Sequence, residues 1–311
     1  MTARFAIGFD LGGTQVRAAL VKDGEVLARK ALATDTSGPD AVMKQFIQLT
    51  SDVRGSHEIA AVGISAPGPL DTISGIVDLI PTLPGWENFP LRQKLETVFQ
   101  VPVVVENDGI AAANGEWQFG AGRGLNNLIY ATVSTGIGGG AVVDGRLMHG
   151  RRGMAAHVGH FQMVPDGPVC SCGTKGCFEA LAAGTALGKR AKAAAASNPA
   201  GFLGRKAVKA EVFSKDVVEG ARAGDAECLR LIAEEAHYLG VGFTGLIHIF
   251  SPELVIMGGG VSQAFDLMSD GIHAVIQRDA MPPFKDVCVV PAELGDNAGI
   301  IGAASLALAA A

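Results

Sequence analysis

Two rhythms of apolar residues alternate along the chain. Short runs are apolar at nearly every position, and longer stretches repeat every three or four residues. The first rhythm predicts buried strands and the second predicts helices with one covered face. Phe5-Ala-Ile-Gly-Phe9 predicts a strand, as does Val16-Arg-Ala-Ala-Leu-Val21 beyond a Gly turn. Lys22-Asp-Gly-Glu25 predicts a tight turn, followed by a third strand from Val26 to Ala33. Between Asp40 and Val53, the residues Val42, Met43, Phe46, Ile47 and Leu49 fall on one helical stripe that starts at Pro39-Asp40. The strand Ile59 to Ser65 breaks at Ala66-Pro-Gly-Pro69, where two prolines prevent regular structure. A second Pro-rich loop, 81–90, surrounds Trp86. It leads to a helix over Leu91–Phe99 and a strand over Val101–Val105.

The same alternation continues beyond residue 107. Asp108 to Phe119 predicts a helix, Leu128 to Val133 a strand, and Gly140 to Val143 a strand after a Gly-rich turn. Ser214–Ala223 and Asp225–Phe250 predict helices. Ser214 and Asp225 sit at the N-cap positions, and Gly224 ends the first helix. Leu254–Met257 predicts a strand, Phe265–Arg278 a helix, Val287–Val290 a strand and Ala298–Ala310 a last helix. Strand and helix alternating throughout predict an α/β protein. Residues 7–21 and 129–143 both read as strand, Gly/Thr turn, strand, which suggests two similar lobes.

Composition sharpens this picture. The chain has 311 residues, enough for about two domains. Its apolar share of 48% against 18% charged residues supports a large core rather than disorder. Aromatics are scarce and glycines number 42, so the core must rest on aliphatic side chains and close backbone turns. The net charge of −6 argues against nucleic acid or an anionic membrane as partner. No secretory leader is visible at the start. The apolar tail 298–311 falls short of the roughly 18–20 residues that a membrane span needs. Five cysteines do not make a disulfide framework, so a cytoplasmic protein is expected.

Five motifs carry chemistry. Asp10-Leu-Gly12-Gly13-Thr14 places adjacent glycines in a hairpin turn, where backbone N–H groups and the Thr14 hydroxyl can cradle an anion. Asp10 at the strand end suits hydrated Mg2+ beside phosphates. Ser134-Thr135-Gly136-Ile-Gly-Gly-Gly140 repeats that arrangement. Gly258-Gly259-Gly260 lies between a strand and a helix, where a nucleotide can approach the backbone. None of these follows the Walker pattern. In Glu106-Asn107-Asp108 the carboxylate of Asp108 sits at a strand-to-helix boundary. There it either accepts a hydroxyl proton or serves as a plain N-cap, with the helix end favouring its ionised form. Asn107 can bond neighbouring hydroxyls. Finally, His160 is followed after nine residues by Cys170, Cys172 and Cys177. One imidazole and three thiolates make a closed, structural Zn2+ set. Cys228 and Cys288 read as core.

Together, Asp10–Thr14, Glu106–Asp108, Ser134–Gly140 and the His160/Cys170/Cys172/Cys177/Glu179 run resemble the ROK family of repressors and sugar kinases, from Phe5 to the last helix. The resemblance implies an actin-like ATPase fold with two RNase H-like lobes and a cleft. The small lobe would span 1–107 plus 298–311 and the large lobe 108–297. It implies ATP and Mg2+ in that cleft and phosphoryl transfer to a hexose 6-hydroxyl, with glucose as the leading sugar and a cytoplasmic homodimer as the assembly. By motif, Asp108 is the general base, and Gly68, Asn107, His157, His160 and Glu179 contact the sugar. Asp10, Gly12, Gly13, Thr14, Thr135, Gly136, Gly258, Gly259 and Gly260 hold the nucleotide. His160 would give one ring nitrogen to zinc and the other to a sugar hydroxyl.

Two departures bear on the sugar. The family's usual Gly-Glu-x-Gly-His reads Ala156-His157-Val-Gly-His160 here, so a group that donates and accepts replaces a carboxylate. Some N-acetylmannosamine kinases of the family look similar at this point, which makes an N-acetylhexosamine kinase the alternative. Thr82 stands where many members carry Asn. A sugar-responsive regulator is the rival from another class. Asp10 arrives too early for a preceding DNA-reading domain of the family's type. Glucose against other hexoses, and ATP against polyphosphate, stay open at this stage.

Overall fold

Phe5–Leu11, the first strand (β1), has large side chains at Ile7, Phe9 and Leu11 and small ones at Ala6 and Gly8. Successive side chains of a strand point to opposite faces, so β1 offers one bulky face and one flat one. The computed structural model of the protein describes residues 4–80 and 83–311, and Thr82 lies outside them. The further elements are β2 (Gln15–Lys22), β3 (Glu25–Ala33), α1 (Pro39–Arg54), β4 (Ile59–Ala66), β5 (Leu70–Asp71), β6 (Ile76–Val77), α2 (Leu91–Phe99), β7 (Val103–Asn107) and α3 (Asp108–Phe119). Next come β8 (Leu128–Val133), β9 (Ile137–Val143), β10 (Arg146–Leu147), α4 (Phe178–Ala182), α5 (Gly184–Ser197), α6 (Phe202–Ala207) and α7 (Ser214–Arg222). The chain ends with α8 (Ala226–Phe250), β11 (Leu254–Gly258), α9 (Phe265–Asp279), β12 (Cys288–Pro291) and α10 (Ala298–Ala310). The described residues divide into two compact units. One comprises 1–126, 139–156 and 293–311, and the other 127–138 and 157–292.

The first unit is built on a sheet of order β3-β2-β1-β4-β7, with β1, β4 and β7 parallel and β2 antiparallel to both of its neighbours. Its bulky face packs Phe9 on Phe46 of α1, ring centres 4.6 Å apart, in a cluster that also buries Leu49, Ile64, Trp86 and Val105. Its flat face receives α10, which also packs on α3. The approach brings backbone against backbone. A Cβ on Gly8 would stand 2.4 Å from the Ile300 carbonyl oxygen, and one on Gly63 2.0 Å from that of Ala303. On the helix side, a Cβ on Gly302 would lie 1.7 Å from the Ala111 oxygen. Glu116, fully buried near the end of α3, accepts the N–H groups of Ala121, Glu293 and Leu294 and so fixes the chain's path into α10.

In the second unit β8 and β12 flank β11 in parallel, and α8 packs on α4, α5, α7 and α9. Among the described residues no helix is long and apolar enough to cross a membrane.

Several expectations need correction. The strand before Asp108 starts at Val103, not Val101, because Pro102 has no N–H for the ladder. Its parallel pairing with β4 runs on to Asn107, so Glu106 and Asn107 are strand residues. The apolar pattern predicts no element for 178–213, yet α4, α5 and α6 lie there. The buried positions of α5 are Ala186, Leu187, Gly188, Ala191 and Ala195, side chains too small to mark a stripe. Phe213, not Ser214, is the N-cap of α7, because Asp216 reaches back to the Phe213 N–H at 2.8 Å. Asp225 does cap α8, through Cys228 N–H at 3.0 Å. Cys288 is exposed rather than core, whereas Cys228 is buried.

Gly302→Ala is expected to cost about 3 kcal/mol or more, since overpacking against a rigid carbonyl has no cheap relief. Ala310→Gly, at the exposed end of the same helix, is the control and should cost less than about 1 kcal/mol. Chemical denaturation midpoints of the two variants decide the matter.

Candidate functional site

In the first unit, Asp10 falls on the flat face of β1 by the period of two, opposite Arg17 of β2 and beside Ser65 of β4. The Ser65 hydroxyl donates to its carboxylate at 3.4 Å, and the Arg17 guanidinium stands 3.7 Å away. Burial raises the Asp10 carboxyl above its ordinary range, while Arg17 and Ser65 pull it back. Beyond it, the Gly12 N–H closes the turn onto the Gln15 oxygen at 3.0 Å, and Gly13 and Thr14 form the exposed tip. The Thr34 hydroxyl fastens that turn through the Gly12 oxygen at 2.7 Å.

At the end of β7, Asn107 is the residue that caps α3. Its Oδ1 accepts the N–H groups of Gly109 at 3.0 Å and Ile110 at 3.4 Å. Asp108 is the first helical residue. It is exposed, and its Oδ1 accepts the Gly109 N–H at 2.8 Å. The cap role weighed for Asp108 therefore belongs mainly to Asn107, which leaves the Asp108 carboxylate presented at the helix head. Gly68 is brought beside them, since a Cβ there would sit 3.7 Å from the Asn107 amide nitrogen. Gly139 and Gly140 belong to β9 and press on α3, where a Cβ on Gly140 would meet Ala113 at 2.6 Å. Those two glycines make room for a helix.

Glu106 is a feature that sequence reasoning passed over. It is 2% exposed, and its two oxygens are divided between the Asn107 N–H at 2.8 Å and His149 Nε2 at 3.0 Å. The hydrogen bond to Glu106 raises the His149 pKa above its ordinary 6.5, against the effect of burial.

In the second unit, Ser134, Thr135 and Gly136 form a turn that is tied to the head of α5. The Gly184 N–H donates to the Ser134 oxygen at 2.7 Å and the Thr185 hydroxyl to the Thr135 oxygen at 2.8 Å. Gly258 ends β11, Gly259 takes a φ of 84°, and Gly260 lines a cavity of about 560 Å3 together with Thr135 and Gly184. Lys189, Lys192 and Lys215 join that wall, the last two flanking the Phe213 ring at 5.7 and 5.9 Å. Of the residues that line this cavity, sequence reasoning singled out Thr135 and Gly260 but none of α5. The Gly184-Thr185 pair ahead of a Lys/Ala-rich run was the available signal.

Glu179, in the first turn of α4, accepts the Ile137 N–H at 3.0 Å and, on its other oxygen, the Ser171 hydroxyl. His160 Nδ1 stands 3.6 Å from Cys170 Sγ, and Cys172 Sγ 3.7 Å from Cys177 Sγ. The four ligand atoms all lie within 4.8 Å of one another. Burial and the neighbouring thiols push Cys177 up to about 12. His157 is exposed, its ring stacked toward His160 with centres 6.3 Å apart.

The His149 contact has a pH signature. Its folded pKa is raised, so its stabilising contribution is fully present below about pH 6.5 and is lost as pH rises through the folded value. His149→Gln keeps a donor but not the charge. The melting-temperature gap between wild type and this variant should be larger at pH 6 than at pH 9.

Comparison with known proteins gives this geometry its relatives. The chain is 38% identical to a glucokinase of Streptomyces coelicolor, covering 97% of this chain and 96% of the relative. It is 37% identical to a glucokinase of Thermotoga maritima, covering 96% of each. Among solved structures it resembles a ROK family glucokinase of Streptomyces griseus in complex with glucose and AMPPNP, with a TM-score of 0.84 and 36% identity over 98% of this chain and 99% of that one. The α/β fold is accordingly the actin-like one. The ROK family model matches residues 6–310, and with it the charged ends of β1 and β7, the glycine turns and the thiol cluster find a common frame: the chain belongs to the ROK family.

Proposed function

We propose that the protein is an ATP-dependent hexose kinase that phosphorylates the sugar 6-hydroxyl, with glucose as its substrate. What carries the reading is the full-length likeness to a glucokinase solved with glucose and AMPPNP, joined to an exposed carboxylate at the head of α3. Asp108 takes the proton of the 6-hydroxyl as that oxygen attacks the γ-phosphorus, and the phosphoryl group passes from ATP to the sugar, leaving ADP. Asn107 sets the direction of Asp108 by capping the helix, and Gly68 leaves its amide nitrogen uncovered by a side chain. Glu179 and His160 hold sugar hydroxyls, His160 through Nε2, because its Nδ1 faces the thiols. The Ser134–Gly136 turn and Gly258–Gly260 receive the nucleotide at the α5 cavity. The Asp10 hairpin, with Gly12, Gly13 and Thr14, serves the phosphates. Asp10 would hold Mg2+, which neutralises charge on the phosphates when bound.

The thiol cluster fits zinc. Sulfurs bound to one tetrahedral zinc stand about 3.8 Å apart, close to the 3.7 Å between Cys172 and Cys177. Zinc there would fix the loop 170–177, and through Ser171 the Glu179 carboxylate. His157 favours a second reading, an N-acetylmannosamine kinase, because it offers a donor where the family has a carboxylate. We further propose a cytoplasmic homodimer, which light scattering tests.

Coupled ADP release across glucose, N-acetylmannosamine, N-acetylglucosamine and mannose should give glucose the highest kcat/KM. A clear preference for N-acetylmannosamine selects the second reading, and turnover on no hexose refutes the kinase. Asp108→Ala should lose about a hundredfold to ten-thousandfold in kcat with its melting temperature kept. Gly136→Ala puts a Cβ 2.4 Å from a Glu179 oxygen. That oxygen is the end of a flexible side chain, so stability should hold while glucose KM rises about tenfold or more. Elemental analysis should find zinc close to one per chain, and chelation should lower the melting temperature.

A further inference from the structure

A row of polar side chains crosses the flat face of the first sheet. Arg17 is opposite Asp10 on β1, Asp10 is in register with Ser65 on β4, and Ser65 with Glu106 on β7. The residues two places earlier on β1, β4 and β7, which share that face, are Gly8, Gly63 and Val104. The row thus holds two carboxylates two strands apart, roughly 10 Å. Each has a nitrogen-bearing partner, Arg17 at 3.7 Å for Asp10 and His149 at 3.0 Å for Glu106. Glu106 is almost fully buried and contributes nothing to the apolar core. Its carboxylate holds the N–H of Asn107, the first atom of the stretch that turns β7 into α3.

The His149 ring also bonds the Leu147 backbone, and further contacts that do not involve the ring hold the loop. The Met148 N–H donates to Ala141 at 2.9 Å, and the Ala155 N–H to the His149 oxygen at 3.0 Å. Arg152 pairs with Asp71 at 3.0 Å and Asp78 at 2.9 Å, and its oxygen accepts the Thr72 N–H at 3.1 Å. With the loop held by these contacts as well, the His149 ring stands 3.0 Å from a carboxylate that lies outside the apolar core.

We propose that His149 is a positioning residue for phosphoryl transfer: by clamping the Glu106 carboxylate it fixes the Glu106–Asn107 peptide, and with it the direction in which Asn107 and Asp108 leave β7. The inference rests on Asp108 as the base. Its effect belongs to kcat, because a small tilt of the base lowers turnover without touching the nucleotide's contacts.

The test uses the full chain with saturating glucose and Mg-ATP, below the melting temperature of every variant. His149→Ala should lower kcat about tenfold with ATP KM within about twofold of wild type. His149→Gln, which returns an N–H donor to the carboxylate, should recover most of that loss. Glu106→Gln combined with His149→Ala should lose no more than about twofold beyond the worse single variant, since both act through one contact. Wild-type kcat in His149→Ala, a loss that His149→Gln leaves in place, or losses that multiply in the double variant would each overturn the proposal. Asp108→Ala separates the two levels. If it turns over freely, the base assignment itself fails; if it is inactive while His149→Ala is normal, the positioning role alone fails.

Discussion

Helix α10 lies so near the first sheet that main chain touches main chain. Gly8 and Gly63 on the sheet stand where any Cβ would collide with a carbonyl oxygen of α10, and Gly302 on α10 stands equally close to the Ala111 oxygen of α3. This closeness decides what the flat face of the sheet can carry. Bulky side chains are excluded from it, so its polar members lie at the strand ends, beyond the tightest contacts. Asp10 and Glu106 occupy such ends, and the helix α3 that begins at Asp108 packs against the same α10. Core and site are therefore not separate designs in this unit. The geometry that admits the last helix also sets the height at which the acidic groups emerge.

Much of this was legible in the chain. Strand-and-helix alternation gave the α/β class, and the bounds of α2, α3, β8 and α10 follow their hydrophobic runs closely. Asp10, Asn107, Asp108 and the four metal-ligand candidates were readable because each combines a special residue type with a special place. The thiol cluster is the clearest case, since three cysteines and a histidine at that spacing have few other uses.

What escaped was written in small or distant side chains. Helix α5 hides its buried face in alanine and glycine, and it carries a large part of the wall of the α5 cavity. Glu106 looked like a flank of the Asn-Asp pair, because a sequence does not say which partner a carboxylate will find 43 residues on. The cap of α7 went to Phe213 because Asp216 supplies the bond from within the helix, a choice that local preference alone does not predict.

The second unit solves a similar positioning problem without a polar row. Glu179 must face outward from a short helix of five residues, which has little stiffness of its own. Several contacts hold it instead. Its backbone N–H bonds the Gly159 oxygen at 2.9 Å, one carboxylate oxygen takes the Ile137 N–H, and the other takes the Ser171 hydroxyl. Ser171 lies between Cys170 and Cys172, so a metal that closes the thiol loop would fix that hydroxyl. Gly136 completes the arrangement by leaving the carboxylate room. A structural metal held by the thiols would thus steady the Glu179 carboxylate through one hydroxyl, whereas in the first unit the His149 ring meets the Glu106 carboxylate directly.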